Sequence, residues 1–264
     1  MYTNLNIYAV FISVRLVRRY SRALILALAF PVSASVLPAQ VSGETKVVSH
    51  TYNNYTRTVL ADGSYKPETY VFTYGDIVDE EPIANDSMDS IGFDEVARLV
   101  ATALKTKGYI SNSNPDTTQQ VIMLWYGNTR RTVAKPTAYE LIESRNVRIL
   151  GFQREQSAAN KLSFTTIAQD FYEEFQAGRY FVVLKAYDFQ VARKEKRLKL
   201  LWESRFSILR QANDFQTELP KMAQFAARTF GKETNGIFNP SSIKGEVKLG
   251  ELKILGEIPS TGKK

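Results

Sequence analysis

Two strand-like runs in the last third of the chain decide the fold: "YFVVLKAYDF" at 180–189 and "LKLLWESRFSI" at 198–208. In the second run apolar and charged side chains alternate, as they do in a strand with one buried and one solvated face. The apolar set is Leu198, Leu200, Trp202, Phe206 and Ile208, and the charged set is Lys199, Glu203 and Arg205. Because the two runs are separated by a short polar stretch, they predict an antiparallel hairpin.

The stretch between them, "ARKEKRLK" at 192–199, is the most highly charged short run in the chain. It contains no aromatic residue, whereas surfaces that bind single-stranded nucleic acid interleave aromatics with basic residues. Charges beside a hairpin connection keep strand ends soluble and discourage edge pairing. We therefore predict a solvated turn and no nucleic-acid partner. Weak contact with anionic lipid headgroups remains the alternative. The candidate contact residues in this run are Arg193, Lys194, Lys196 and Arg197.

The other elements complete an α+β pattern. The segment 92–109 predicts an amphipathic helix that ends at Gly108, and the nearly continuous apolar run 119–127 predicts a central strand. Further helices are predicted from Thr137 onward, over 164–178, and over 216–232 with Thr217 as the N-cap. Together these elements predict an antiparallel-rich sheet with amphipathic helices packed on one face.

Two β-rich runs before residue 77 flank Asp62-Gly63, a dipeptide that favours tight hairpin turns. Strands that alternate polar and aromatic residues form faces that bind glycans or proteins. Half-buried tyrosines are also common in ordinary strands, so both interpretations stay open. The candidate binding face consists of Tyr52, Tyr55, Tyr70 and Tyr74.

The N-terminal segment is typical of a secretory signal peptide. Four arginines between residues 15 and 22 precede the apolar run Ala23–Phe30, and Pro31 and small residues follow. Cleavage is predicted after Ala34 or Ala39; the alternative is a retained membrane anchor, for which the run is short. Removal of this segment leaves 30 of the 34 basic side chains against 27 acidic ones, a net charge of +3. Such a charge gives little long-range attraction to nucleic acid.

These patterns predict a signal peptide at 1–39, one α+β envelope domain at 40–232 and a partly ordered C-terminal tail at 233–264. The predicted location is the periplasm or cell envelope, with secretion as a further alternative. The predicted partner is an envelope protein or glycan.

Several chemistries are excluded by composition. The chain has no cysteine, which rules out disulfides, thiolate metal sites and a cysteine nucleophile. Its one histidine, His50, lies in a strand-like run, and no nucleophile elbow, phosphate-binding loop or dinucleotide fingerprint is present. We expect no catalytic residue, cofactor or metal, and hence a non-enzymatic role. The alternative is a carboxylate-dependent hydrolase acting on envelope glycans.

The order of elements resembles an uncharacterised family of bacterial envelope domains, usually found in lipoproteins and known only as a domain of unknown function. The matching pieces run from "ETYVFTYGD" at 68–76 to "LPKMAQFAARTFGK" at 219–232, and the most characteristic are Lys-Gly-Tyr at 107–109 and Leu-Trp-Glu at 201–203. The resemblance implies an envelope location and a compact α+β domain, and it implies no catalytic residue. This chain lacks the cysteine to which such proteins attach a lipid.

Overall fold

The structure is a computed structural model that describes residues 44–79, 87–131, 145–161, 176–211 and 213–240. The predicted signal segment 1–39, the predicted helix start at Thr137, residues 164–175 of the helix predicted over 164–178, and residues 241–264 of the predicted tail lie outside these ranges. The strands are β1 (Lys46–Thr51), β2 (Glu68–Asp79), β3 (Tyr109–Ser111), β4 (Gln120–Asn128), β5 (Arg179–Asp188) and β6 (Leu200–Leu209). The helices are α1 (Phe93–Lys105), α2 (Gln153–Lys161), α3 (Phe189–Glu195) and α4 (Phe215–Ala226), which continues into a 3₁₀ turn at Ala227–Thr229. Residues 145–150 are also helical.

All six strands belong to one curled sheet with the order β1-β6-β5-β4-β2-β3. The predicted hairpin is present, since β5 pairs antiparallel with β6, and β4 lies in the interior of the sheet. However, β2 runs parallel to both β4 and β3, so the sheet is mixed rather than antiparallel-rich. The cause is the connection from β2 through α1, because a strand–helix–strand crossover returns the chain in the parallel direction.

The first predicted hairpin is formed only at its turn. Gly63 has φ +81°, and Val59 pairs with Tyr65 across the turn. Nevertheless β1 lies at one edge of the sheet and β2 is next to the last strand at the other, so the two do not pair. Strand β2 begins at Glu68, immediately after Pro67, which cannot donate a ladder hydrogen bond.

Helices pack on both faces of the sheet, which corrects the prediction of one covered face. On the first face α1 and α4 bury the main core around Val100, Leu184 and Trp202. On the second face the helical residues 145–150, together with Phe152 just before α2, bury a smaller cluster. That cluster consists of Val48, Val147, Leu150, Phe152, Phe181 and Val183. The alternation along β5 explains both faces, because Leu184 points to one core and Val183 to the other.

The N-cap of α4 is Asp214, not the predicted Thr217. The Asp214 carboxylate accepts a hydrogen bond from the backbone N–H of Thr217 at 2.7 Å. This bond satisfies one of the free N–H groups of the first helical turn. Hydrogen bonds from the Thr217 side chain and then from its backbone lower the pKa of Asp214. Among the helices in the described ranges, none is both long and apolar enough to cross a bilayer.

Candidate functional site

Beside the smaller cluster, the helices of the described ranges leave part of the second sheet face exposed. There, directly paired residues of five neighbouring strands form one row: Thr73, Met123, Lys185, Glu203 and His50. Tyr52 at the end of β1 and Tyr187 near the end of β5 flank the row on the side away from the helices. We call these seven residues the open band. All of them except Glu203 are partly or largely exposed.

Glu203 is the electrostatic centre of the open band. Its side chain is only 7% exposed. Arg205 Nε donates to Glu203 Oε1 at 2.7 Å, and Lys185 Nζ lies 3.4 Å from Oε2. Burial by itself would raise the pKa of Glu203, but the hydrogen bond and charge of Arg205, followed by those of Lys185, outweigh it and hold the pKa below its ordinary value. The carboxylate is therefore ionised at neutral pH.

The two cations are themselves held in place. Arg205 Nη1 donates to the backbone carbonyls of Arg148 and Ile149, both at 2.7 Å, which ties the band to the helical segment 145–150. The Lys185 ammonium lies 5.5 Å from the centre of the Trp125 ring, within the range of a cation–π contact. These contacts make the charged row a fixed part of the sheet face.

His50 forms the outer end of the row. Its Nδ1 lies 2.7 Å from Glu233 Oε1, and the second oxygen of that carboxylate accepts from the backbone N–H of Thr51 at 3.0 Å. Because a carboxylate only accepts, Nδ1 is the donor, which leaves Nε2 of a neutral ring as an acceptor. Both side chains are exposed by 40% or more, so the pair lies at the rim of the band.

The two flanking tyrosines bring aromatic surface next to the charges. Tyr52 contacts the His50 ring edge-on at 6.5 Å between centroids, and it is 36% exposed. Partial burial, with the Glu203 charge as a further cause, raises the pKa of both Tyr52 and Tyr187. Both phenols therefore remain protonated well above neutral pH and can donate hydrogen bonds.

An open cleft of about 280 Å³ lies next to the His50–Glu233 pair. Its wall is formed by the end of α4 and the chain that follows, including Arg228, Lys232 and Glu233. Its volume is just below the range of pockets that enclose small molecules. No group of three or more metal-binding side chains occurs in the part of the chain that the structure describes.

The four tyrosines of the predicted binding face do not share one surface. Tyr70 is 1% exposed and belongs to the main core. Tyr74 is 50% exposed and contacts Phe93 of α1 edge-on. Tyr52 lies in the open band at the opposite edge strand. Tyr55 is partly buried in the loop between β1 and β2.

Tyr55 belongs to a polar cluster that closes the end of the main core. Its hydroxyl donates to Glu68 at 2.7 Å, and the Gln120 side chain hydrogen-bonds the same carboxylate. Gln120 also accepts from the indole N–H of Trp202 at 3.0 Å. Arg57, 4% exposed, stacks on Tyr109 at 4.2 Å. Burial raises the pKa of the Tyr55 hydroxyl. The cluster fixes the β1–β2 loop across the sheet end, which is a structural role.

The basic run forms the end of α3 and the turn before β6. Arg193 pairs with Asp116 at 2.6 Å, and Arg197 pairs with Glu195 at 2.9 Å. Lys194 and Lys196 are exposed, and Lys196 adopts the left-handed conformation (φ +54°) that ends the helix. With two of the four candidate cations paired to acids, the run presents less positive charge than its sequence suggests.

Sequence reasoning did not find the open band as a site. It did place Glu203 and Arg205 on the face opposite Trp202 and Phe206, which is correct, but the expected solvation is wrong for Glu203, which is buried there. Their neighbours Lys185 and Met123 come from other strands, so only the lateral register brings them together. A bulge opposite Tyr187 also shifts the alternation, so that Leu201, and not Leu200, packs on the main core.

Comparison with known proteins finds no matching family model and no matching curated protein. Similar solved structures include a PDZ domain protein from Parabacteroides distasonis ATCC 8503, with 11% identity, a TM-score of 0.37, and coverage of 74% of this chain and 38% of that one. A PelC dodecamer from Paraburkholderia phytofirmans has 8% identity, a TM-score of 0.30, and coverage of 69% and 92%. A DUF4136 family protein from Bacteroides thetaiotaomicron VPI-5482 has 10% identity, a TM-score of 0.30, and coverage of 70% and 92%.

One of these structures thus comes from a bacterial family of unknown function, the kind of family that the sequence resembles. The present chain spans 38% of the length of the PDZ domain protein. At these identities and TM-scores the similarities assign neither an activity nor a partner to this chain.

Proposed function

We propose that this chain is an exported protein of the bacterial envelope that binds or assembles with another envelope component through the open band, and that it is not an enzyme. The observation that carries the proposal is the band itself: a partly exposed sheet face, flanked by tyrosines, whose charges are fixed before any partner arrives. Such a surface binds with little loss of side-chain freedom. The export part of the proposal rests on the signal-like segment at 1–39.

The charges of the band favour binding over acid–base chemistry. A general acid needs a pKa near the working pH, which for a carboxyl group means a raised value. Each described carboxylate whose pKa departs from its ordinary value is shifted downward: Asp62, Glu95, Glu203 and Asp214. Glu203, the most buried of these, is held ionised by two cations. This weighs against the alternative of a glycan hydrolase with a protonated carboxyl group.

Export is tested by the intact mass of the protein from separated cellular fractions. We expect a periplasmic or secreted species that begins at Ser35 or Gln40. A full-length species confined to the cytoplasm would contradict the envelope assignment, and a full-length species in the membrane fraction would make Ala23–Leu37 an anchor.

Binding is tested by placing a photo-crosslinking amino acid at Met123, in the centre of the band, with the exposed Thr102 on α1 as the matched control. We expect a crosslinked product from Met123 in intact cells and not from Thr102. Adding Lys185→Glu, which places a second acid beside Glu203, should abolish the product. Equal products at the two positions would refute the open band as the contact surface.

A further inference from the structure

The two edges of the sheet differ in how much of their outer backbone is hydrogen-bonded by other parts of the chain. At the β1 edge, the chain after α4 covers the outward backbone groups. Val47 exchanges two hydrogen bonds of 2.8 Å with Phe238, and the N–H of Ser49 donates to the Thr234 hydroxyl at 2.9 Å. The N–H of Thr51 donates to Glu233. This edge is closed to any further strand.

The opposite edge is closed only at its beginning. Strand β3 pairs with the first three residues of β2, Glu68–Tyr70, and the chain then turns away after Asn112. Strand β2 continues to Asp79, and beyond Tyr70 its only neighbour among the described strands is β4, on its inner side. Along 72–78, the described part of the chain provides one partner for the outer backbone groups, the Asp76 carboxylate, which accepts from the N–H of Ile77 at 2.8 Å.

The open stretch also exposes apolar side chains. Tyr74 is 50% exposed and Ile77 is 43% exposed. Residues 71–78 contain no lysine, arginine or proline, and Asp76 is their one charged residue. A bulge between Tyr74 and Asp76 bends the strand at Gly75, where a Cβ atom would lie 2.4 Å from the Trp125 ring. A glycine is therefore required at the middle of the open stretch.

We infer that residues 72–78 of β2 form a pairing edge for a second copy of this chain, joined antiparallel about a two-fold axis near Gly75. A second copy fits because an antiparallel edge is self-complementary, so one stretch supplies both sides of the contact. With the axis at Gly75, Asp76 lies opposite the partner's Tyr74 and not opposite the partner's Asp76. Two like charges are therefore not placed directly across from each other.

The length of the open stretch sets the geometry. With the two-fold axis near Gly75, Phe72 of one copy lies opposite Val78 of its partner. Strand β3 pairs with residues 68–70, outside this stretch, so it does not block the contact. The two six-stranded sheets become one continuous sheet. Because the β1 edge is closed, the assembly ends at two copies and does not grow into a fibre. This inference is independent of the proposed function, since it uses the backbone edge of β2, which shares only Thr73 with the open band, and does not use the cellular location.

The test measures the molar mass of the purified chain by light scattering at high micromolar concentration. We expect twice the monomer mass, which is 29.9 kDa for the 264 residues. The double variant Tyr74→Lys/Ile77→Lys should raise the dimer dissociation constant about tenfold or more, because each lysine appears twice in the contact. The matched control is Leu198→Lys, which changes an apolar residue with 49% exposure at the turn before β6.

A second measurement uses the absence of cysteine. Tyr74→Cys gives one thiol per chain, and a short bismaleimide should link two chains covalently, whereas Leu198→Cys should give little product. Circular dichroism confirms that the variants remain folded. A monomeric wild type, a dimer unaffected by the double variant, or equal crosslinking at both positions would each overturn the inference.

Discussion

The buried carboxylate of the open band allows a quantitative prediction. Glu203→Gln keeps the shape of the side chain but removes its charge, so that Arg205 and Lys185 lose the anion between them. Hydrogen bonds to charged groups contribute about 1.5–3 kcal/mol, and removing one partner of a fully buried ion pair costs more. Because Arg205 and Lys185 are 16% and 30% exposed, water partly solvates them, and the loss of stability is smaller than for a fully buried ion pair. We therefore expect a decrease of about 2 kcal/mol in the free energy of unfolding at neutral pH.

The pH dependence gives this prediction its second part. The pKa of Glu203 is lower in the folded chain than its ordinary value of 4.5, so as the pH falls the unfolded state binds the proton first. The stabilising effect is therefore complete above the unfolded pKa and is lost as the pH falls through the folded pKa. The difference in the free energy of unfolding between wild type and Glu203→Gln should be constant from about pH 6 to 8 and should shrink below about pH 4.

The assay is urea unfolding followed by circular dichroism at neutral and acidic pH, together with thermal melts. A loss of 2 kcal/mol corresponds to a decrease in Tm of about 4–8 °C for a domain of this size. The control is Glu95→Gln, which removes an exposed carboxylate that pairs with Arg98 and should leave the midpoint unchanged. An unchanged midpoint for Glu203→Gln at neutral pH, or a loss that persists undiminished at pH 3, would refute the electrostatic reasoning.

Two further variants test the fold. Asp214→Ala should lower the free energy of unfolding by about 1 kcal/mol because α4 loses its N-cap, whereas Asp214→Asn should be tolerated. The midpoints of urea unfolding measure this difference. Equal midpoints for the two variants would show that the cap does not stabilise the chain. Gly127→Ala should cost about 3 kcal/mol or more because its Cβ would lie 1.8 Å from the Val78 carbonyl oxygen. Gly92→Ala, which has open space around it, should cost about 1 kcal/mol or less by the same measurement, the ordinary penalty of alanine at the N-cap of α1. A Gly127→Ala chain as stable as wild type would mean that β2 and β4 are not paired at that point.

The sequence was most informative where a single element determines its own structure. The period of α1, the apolar run of β4 and the hairpin of β5 and β6 follow from local patterns, and each is present. The turn at Asp62-Gly63 was also predictable, because Gly63 adopts the positive φ that the dipeptide favours. These features depend on side-chain spacing and backbone preference alone.

What the sequence did not reveal depends on lateral placement. Nothing local in β1 shows that its neighbour is β6, so the tyrosines that alternate along two consecutive runs were expected to share one face. Tyr70 instead enters the main core, and Tyr52 joins a row of residues from other strands. The smaller cluster on the second face was missed for the same reason, because nothing in the local sequence shows that Val147 and Leu150 pack on a sheet face.

The position of β1 has a consequence for the time course of folding. Its partners come very late in the chain: Ser49 hydrogen-bonds Ser204 across 155 residues and Thr234 across 185. While the chain is being synthesised, β2, α1, β3 and β4 can associate at once, but the first strand has nothing to pair with until almost all the others exist. Long-range closures of this kind slow folding, since the entropy of the intervening loop must be overcome first. Strand β1 is therefore among the last strands to be placed, and it stays unpaired until β6 and the chain after α4 have been made.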